Sequence, residues 1–296
     1  MSDGWQTQQE RGSRASMRFM AWVAQSCGRP VARALLHPIC LYFFLSSRRA
    51  RRAIRRFRER ALGRPAKWRD IYRHYHAFAS TILDRVYFVH ARFDLFDIEL
   101  LGLDVLDREL AKGQGCVLLG SHLGSFEVLR ALGLFRRKLE LRVLMDEHNA
   151  PMIRGMTNEL NPAVAATVIQ VGGVETMLQV KECLDRGGLL GVMGDRVTQH
   201  DQSVNCRFLG SDARFPTGPM RLAHVVSAPV IMFFGLYRGG NRYEVHLESF
   251  SERVRLSPDQ RDADLRQWVQ RFADRLEERC RTASDNWFNF YEFWDG

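Results

Sequence analysis

Two residues in the stretch Cys116–Leu132, CVLLGSHLGSFEVLRAL, have the chemistry of a proton-transfer pair: the imidazole of His122 and the carboxylate of Glu127. A carboxylate that accepts one imidazole N–H leaves the other ring nitrogen free as a base. The chain carries no G-x-S-x-G nucleophile motif, so the hydroxyl to be deprotonated is expected on a substrate. Spacing alone adds no weight, because nine histidines among 296 residues with 34 acids yield about one H-x4-E by chance. Position adds more: the pair follows an apolar run and precedes a helical pattern, and strand ends are where α/β proteins place chemistry. Residues five apart on one helix differ by about 140°. The two side chains therefore meet only if His122 lies in the turn and Glu127 in the first helical turn, with Ser125 as N-cap. The positive helix end then favours the carboxylate. A turn histidine bonded to backbone, and a first-turn acid with no further role, are the alternatives.

The elements that must position this turn are those of an α/β sheet. Apolar runs at Cys116–Gly120, Leu141–Met145, Ala166–Val171, Leu189–Met193 and Pro229–Leu236, and an alternating run at Arg242–Glu248, read as strands. Helical patterns lie between them at Phe126–Leu134, Pro151–Leu160 and Glu175–Asp185. Near-continuous apolar strands separated by helices predict a mixed, mostly parallel central sheet flanked by helices. Upstream, Tyr72, Tyr75, Phe78, Ile82, Val86 and Val89 recur at three- and four-residue spacing, so residues 66–100 read as helical, with a further helix over Leu101–Leu110.

The charge is concentrated at one place. Between Arg48 and Arg60 lie eight arginines and one acid, which carry +7 of the net +9. Before them, Met17–Gly28 and Val31–Leu45 read as two short amphipathic helices. The second is too short to span a bilayer, which takes about 20 apolar residues, and Arg33, His37 and Pro38 interrupt it. Residues 1–62 are thus expected to form a membrane-associating segment, with the arginines on anionic headgroups, and residues 63–296 the α/β domain. A solvated basic face is the alternative. No RNP, zinc-finger or helix-turn-helix pattern supports nucleic-acid binding. Six cysteines without a CxxC, several within apolar runs, read as buried thiols rather than disulfides or a zinc site.

The run G-S-H-L-G-S-F-E resembles the signature of the lysophospholipid acyltransferase superfamily, and more closely its branch of late lipid A (lauroyl and myristoyl) acyltransferases. Later stretches resemble the branch's further blocks in order: Gly187-Gly188 to Gly194-Asp195-Arg196, then Arg207–Gly210 with Phe215–Pro219 and Ala228–Val230, and the aromatic ending Trp287–Tyr291. The resemblance implies a glycerol-phosphate-acyltransferase-like fold and acyl transfer from a thioester, on acyl carrier protein or coenzyme A, to a hydroxyl of a lipid or glycolipid. It implies a protein on the cytoplasmic face of a bacterial inner membrane, with no cofactor and no metal. It makes His122 the general base and Glu127 its orienting partner. Ser121, Gly124, Asp195, Arg196, Phe215 and Gly218 are expected to line the substrate site. Asp195 and Arg196 have an alternative as a structural ion pair at a strand end. A hydrolase using the same pair, and a non-enzymatic basic membrane-binding protein, are the competing functions.

Overall fold

The computed structural model describes residues 14–131, 139–145, 161–198 and 201–295. Three helices open the chain: α1 (Arg14–Ser26), α2 (Gly28–Ser46) and α3 (Arg48–Leu62). Gly28 at φ 81° separates the first two and Gly63 at φ 64° ends the third, both conformations that glycine adopts without strain. No single described helix is long and apolar enough to cross a membrane; α2 and α3 reach that length and composition only together, across a 95° bend. Helix α4 (Trp68–Val89) follows, with its Ile71, Tyr75, Leu83, Val86 and Tyr87 packed against Val23, Leu36 and Ile54 of the first three helices. The N-terminal helices therefore share a core with the remainder of the chain. A bidentate ion pair from Arg29 to the fully buried Asp84 reinforces that joint.

The expected helix over 66–100 stops at Val89, because Ala91 turns to φ 55° and β1 (Asp97–Leu101) then pairs with β9 (Arg242–Ser251). Helix α5 (Leu103–Leu110) leads to β2 (Cys116–Gly120), followed by β3 (Leu141–Met145), α6 (Pro162–Ala165), β4 (Val168–Gln170), α7 (Val174–Asp185) and β5 (Leu189–Met193). An antiparallel hairpin, β6 (Ser203–Phe208) and β7 (Ser211–Pro216), forms a separate sheet, and α8 (Gly218–Val226), β8 (Val230–Tyr237), β9 and α9 (Arg261–Thr282) complete the chain. The expected helix at Pro151–Leu160 lies outside the described residues. Of the one at Phe126–Leu134, residues Glu127–Ala131 form a 3-10 turn and the remainder lies outside.

The main sheet has the order β1-β9-β8-β2-β5-β3-β4 and is parallel except where β8 meets β9. Strand β2 is buried along its whole length. Its Val117 and Leu119 face one core with Phe215, Phe272 and Trp287, while Cys116 and Leu118 face the other with Phe88 and Leu106. Period-two alternation with both faces apolar is the signature of a strand covered by helices on each side, so the mixed α/β layer expected from the sequence is the fold observed.

The turn after β2 is held by a close backbone approach. Ser125 N–H donates to the Gly235 carbonyl at 2.7 Å. A Cβ on Gly124, which sits at φ 86°, would lie 2.0 Å from that same oxygen. Gly124→Ala is expected to lower the unfolding free energy by more than about 2 kcal/mol. The control Gly172→Ala, whose nearest contact would be Thr176 Oγ1 at 3.4 Å, should stay within about 0.5 kcal/mol. Urea midpoints measure both, and equal midpoints would contradict the tight turn.

Candidate active site

Register between neighbouring strands brings the reactive side chains together. Strands β2 and β5 are parallel partners, with Gly120 opposite Met193, and Gly194 N–H donates to the Gly120 carbonyl at 3.0 Å. His122 and Asp195 each lie two residues beyond those paired positions, so both emerge at the carboxyl end of the sheet side by side. His122 Nδ1 lies 2.8 Å from Asp195 Oδ1, and the His122 backbone N–H donates to both carboxylate oxygens at 3.0 Å. The other face of the carboxylate receives Trp287 Nε1–H at 3.0 Å and Asn289 Nδ2–H at 3.2 Å, both on Oδ2.

Asp195 is 0% exposed. Burial alone would raise its pKa, but the charge of His122, their hydrogen bond and the charge of Arg196 outweigh that and hold the carboxyl at about 2. An ionised carboxylate is acceptor-only, so the His122 nitrogen facing it must carry the proton. The neutral ring then has its lone pair on Nε2. Burial, then the charge of Arg196, push the His122 pKa below its ordinary 6.5, against the opposing pull of Asp195. Neutral imidazole is therefore the form present at pH 7, and its side chain keeps 29% exposure.

Glu127, expected as the orienting partner of His122, is bound elsewhere. Its Oε1 accepts from Arg85 Nη2 of α4 at 2.7 Å, and its Oε2 from Arg130 Nε at 2.8 Å. Arg130 also donates to Thr167 Oγ1 at 3.3 Å. Burial raises the Glu127 pKa, but the two guanidiniums more than reverse it, so the net shift is downward. The physical reason for the difference lies in the turn: residues 127–131 wind as a 3-10 helix whose first side chain points to α4, while strand register delivers Asp195 to the imidazole.

Among the remaining expected residues, Ser121 and Gly124 flank His122, and Arg196 adjoins Asp195. Arg196 Nε donates to Asn289 Oδ1 at 2.7 Å and Nη2 to the Phe288 carbonyl at 2.9 Å; no hydrogen bond joins it to Asp195, so the expected alternative of a simple ion pair is replaced by a bridged arrangement. Phe215 is fully buried against Phe208, Phe272 and Phe293, which makes it core rather than pocket lining. Gly218 is exposed at the start of α8. The turn's own amides are committed: His122 to Asp195, Leu123 weakly to Ser121 Oγ at 3.4 Å, Gly124 to the Asn286 carbonyl and Ser125 to Gly235.

Two surface hollows of about 490 and 480 Å³ are lined by Pro258–Ala263 and by residues including Asp201, Arg214, Arg221 and Arg266. Neither includes His122 or Asp195, and the acid–base geometry outweighs hollow size as a guide to the chemistry. His148 and Asn149, whose place after β3 in the sequence would let them line the same cleft, lie outside the described residues. Among the described residues, no three His, Cys, Asp or Glu side chains gather as a metal-binding group.

Trp287 and Asn289 belong to a C-terminal strap that contains the aromatic ending Trp287–Tyr291 of the sequence. The strap makes an antiparallel bridge from Trp287 to Leu123, and Phe288 N–H donates to the His122 carbonyl at 2.8 Å. The strap's polar residues, Asn286 and Asn289 between aromatics, are the signal available in advance. A family model described as bacterial lipid A biosynthesis acyltransferase matches residues 18–295. A search of the curated proteins returns no match.

The buried Glu127 carboxylate is paired with two partly buried guanidiniums, and removing one member of a fully buried charge network costs roughly 3–5 kcal/mol, which is the upper bound here. Glu127→Gln should show that loss in denaturant titration at neutral pH. Because the folded-state pKa of Glu127 is depressed, its contribution is present above the ordinary 4.5 and lost as pH falls through the folded value. The difference between wild type and variant should therefore shrink on acidification. A difference that grew instead would contradict the ion-pair assignment.

Proposed function

The chain belongs to the bacterial lipid A biosynthesis acyltransferase family and is an acyltransferase that acts on a lipid acceptor, and from that premise we propose that His122 is its general base and Asp195 the group that orients it. What carries the reading is the Nδ1 contact to the buried carboxylate, which leaves Nε2 as the proton acceptor. The acceptor hydroxyl gives its proton to Nε2 as its oxygen attacks the thioester carbonyl. The tetrahedral intermediate collapses, the C–S bond breaks, and the imidazolium returns the proton to the leaving thiolate. The donor is an acyl thioester on acyl carrier protein or coenzyme A. With the amides of residues 122–125 committed, Arg196 is placed to meet the oxyanion, since its charge already acts on His122. Glu127 and its two arginines fix the turn to α4 and position the base from behind.

The N-terminal helices supply the reading of where this happens. Phe19 and Trp22 on α1 and Leu41, Tyr42 and Leu45 on α2 are exposed, the last two at 65% each. Arg48, Arg49, Arg52 and Arg55 are exposed on α3 directly after them. Four other arginines of the run serve the fold: Arg51 caps carbonyls of α2, Arg56 pairs with Glu292 and Asp295, Arg58 bonds Ser284, and Arg60 bonds Ser211 and stacks on Trp294. The free apolar ridge beside a basic face suits monotopic docking on the cytoplasmic leaflet of the inner membrane. Each basic residue contributes about 1 kcal/mol near an anionic surface.

His122→Ala should retain the fold and lose roughly 10²–10⁴-fold in acyl transfer, measured as acceptor-dependent formation of an acyl ester from an acyl thioester. Wild-type-like transfer by that variant would sink the mechanism, and acceptor-independent release of free acid would favour hydrolysis. Flotation with anionic liposomes should show binding at low salt that weakens at high salt. Substituting Arg48, Arg49, Arg52 and Arg55 by Gln should remove the salt dependence, and a wild type that fails to float at low salt would remove the docking reading.

A further inference from the structure

Asp195 and Arg196 are consecutive, opposite in charge and both drawn into the site, yet their hydrogen bonds meet in a third residue. Asn289 donates Nδ2–H to Asp195 Oδ2 at 3.2 Å and accepts Arg196 Nε–H on its Oδ1 at 2.7 Å. The amide orientation is set by its partners: a flipped amide would face donor to donor and acceptor to acceptor. Asn289 is 2% exposed, so water does not replace it without cost.

We propose that Asn289 is a positioning residue that holds the Arg196 guanidinium away from the Asp195 carboxylate and so reserves that carboxylate for His122. The proposal rests on the reading of His122 as base. Without the amide, Asp195 Oδ2 loses a donor and Arg196 Nε an acceptor, both in buried surroundings, where an unpaired charged group is costly. The nearest repair is a direct Arg196–Asp195 ion pair. That pair cancels much of the field through which Asp195 raises the proton affinity of His122, and it competes for the oxygen that orients Nδ1. The base becomes weaker and less well aimed while the site remains folded. In the wild type, the bridge keeps two opposite charges adjacent but separately employed, one on the base and one toward the oxyanion.

The test is the titration of the His122 ring, followed by NMR on the full-length protein, with kcat and KM measured beside it. Asn289→Leu should lower the His122 pKa by about one unit and reduce kcat more than KM. Asn289→Asp adds a negative charge that also engages Arg196, and should shift the His122 pKa in the opposite direction, upward. The double variant Arg196→Gln/Asn289→Leu removes the cation that would collapse and should bring the His122 pKa back toward or above the wild-type value. Circular dichroism and thermal midpoints establish that each variant is folded. A His122 pKa unchanged in folded Asn289→Leu, or moved the same way in the Leu and Asp variants, overturns the proposal. Because the ring titration does not depend on turnover, it separates failure of this inference from failure of His122 as the base, which His122→Ala decides.

Discussion

A single buried carboxylate constrains this molecule more than any other group. Moving an ionised carboxylate out of water costs several kcal/mol unless its oxygens are met by well-placed donors. Asp195 meets that demand with four, the His122 amide and Nδ1, Trp287 Nε1 and Asn289 Nδ2. These come from two distant parts of the chain, the turn after β2 and the C-terminal strap. Satisfying the carboxylate therefore folds the strap over the sheet's carboxyl end. The strap in turn carries Trp287 into contact with Phe57 of α3, ring centroids 4.7 Å apart. A continuous line of packing thus runs from the basic N-terminal helices to the Asp195–His122 contact.

The second carboxylate of the site serves a different end. Glu127 lies between Arg85 and Arg130, and its charge fixes the turn against α4 rather than acting on the imidazole. In the proposed mechanism the two acids divide the work that one H-x4-E pair was expected to do: Asp195 sets tautomer and aim, and Glu127 sets where the turn sits. Burial opposes the ionisation of each, and neighbouring charge together with hydrogen bonds outweighs it. The site therefore keeps its charge pattern at neutral pH, with a neutral imidazole against the Asp195 carboxylate.

Much of the fold was legible in advance because buried parallel strands announce themselves as apolar runs: β2, β3 and β5 have the expected bounds. What was missed has physical causes. Strand β1, DIELL, is a short edge strand with an exposed, partly polar pattern, which helical periodicity around it absorbs. The hairpin β6–β7, with its alternating polar residues, was not among the expected strands. At the candidate site, the structure brings the expected His122 and Asp195 together with Arg196 beside them, whereas the expected contact of His122 with Glu127 is absent. Proximity along the chain favoured Glu127, whereas the partner is chosen by register between β2 and β5, and register is a property of two strands that no local spacing contains. Phe215 was misplaced for the converse reason: its motif suggested a pocket, and strand alternation turns it into the core.

The most direct measurement is the pH dependence of acyl transfer in two folded variants, Asp195→Asn and Glu127→Gln. If Asp195 orients and raises the proton affinity of His122, Asp195→Asn lowers the rate and moves the acid limb of the profile to lower pH. Glu127→Gln then leaves that limb in place, whatever it does to stability or to the height of the plateau. An acid limb that moves in Glu127→Gln and stays fixed in Asp195→Asn would contradict the account and return the partnership to the pair within the turn.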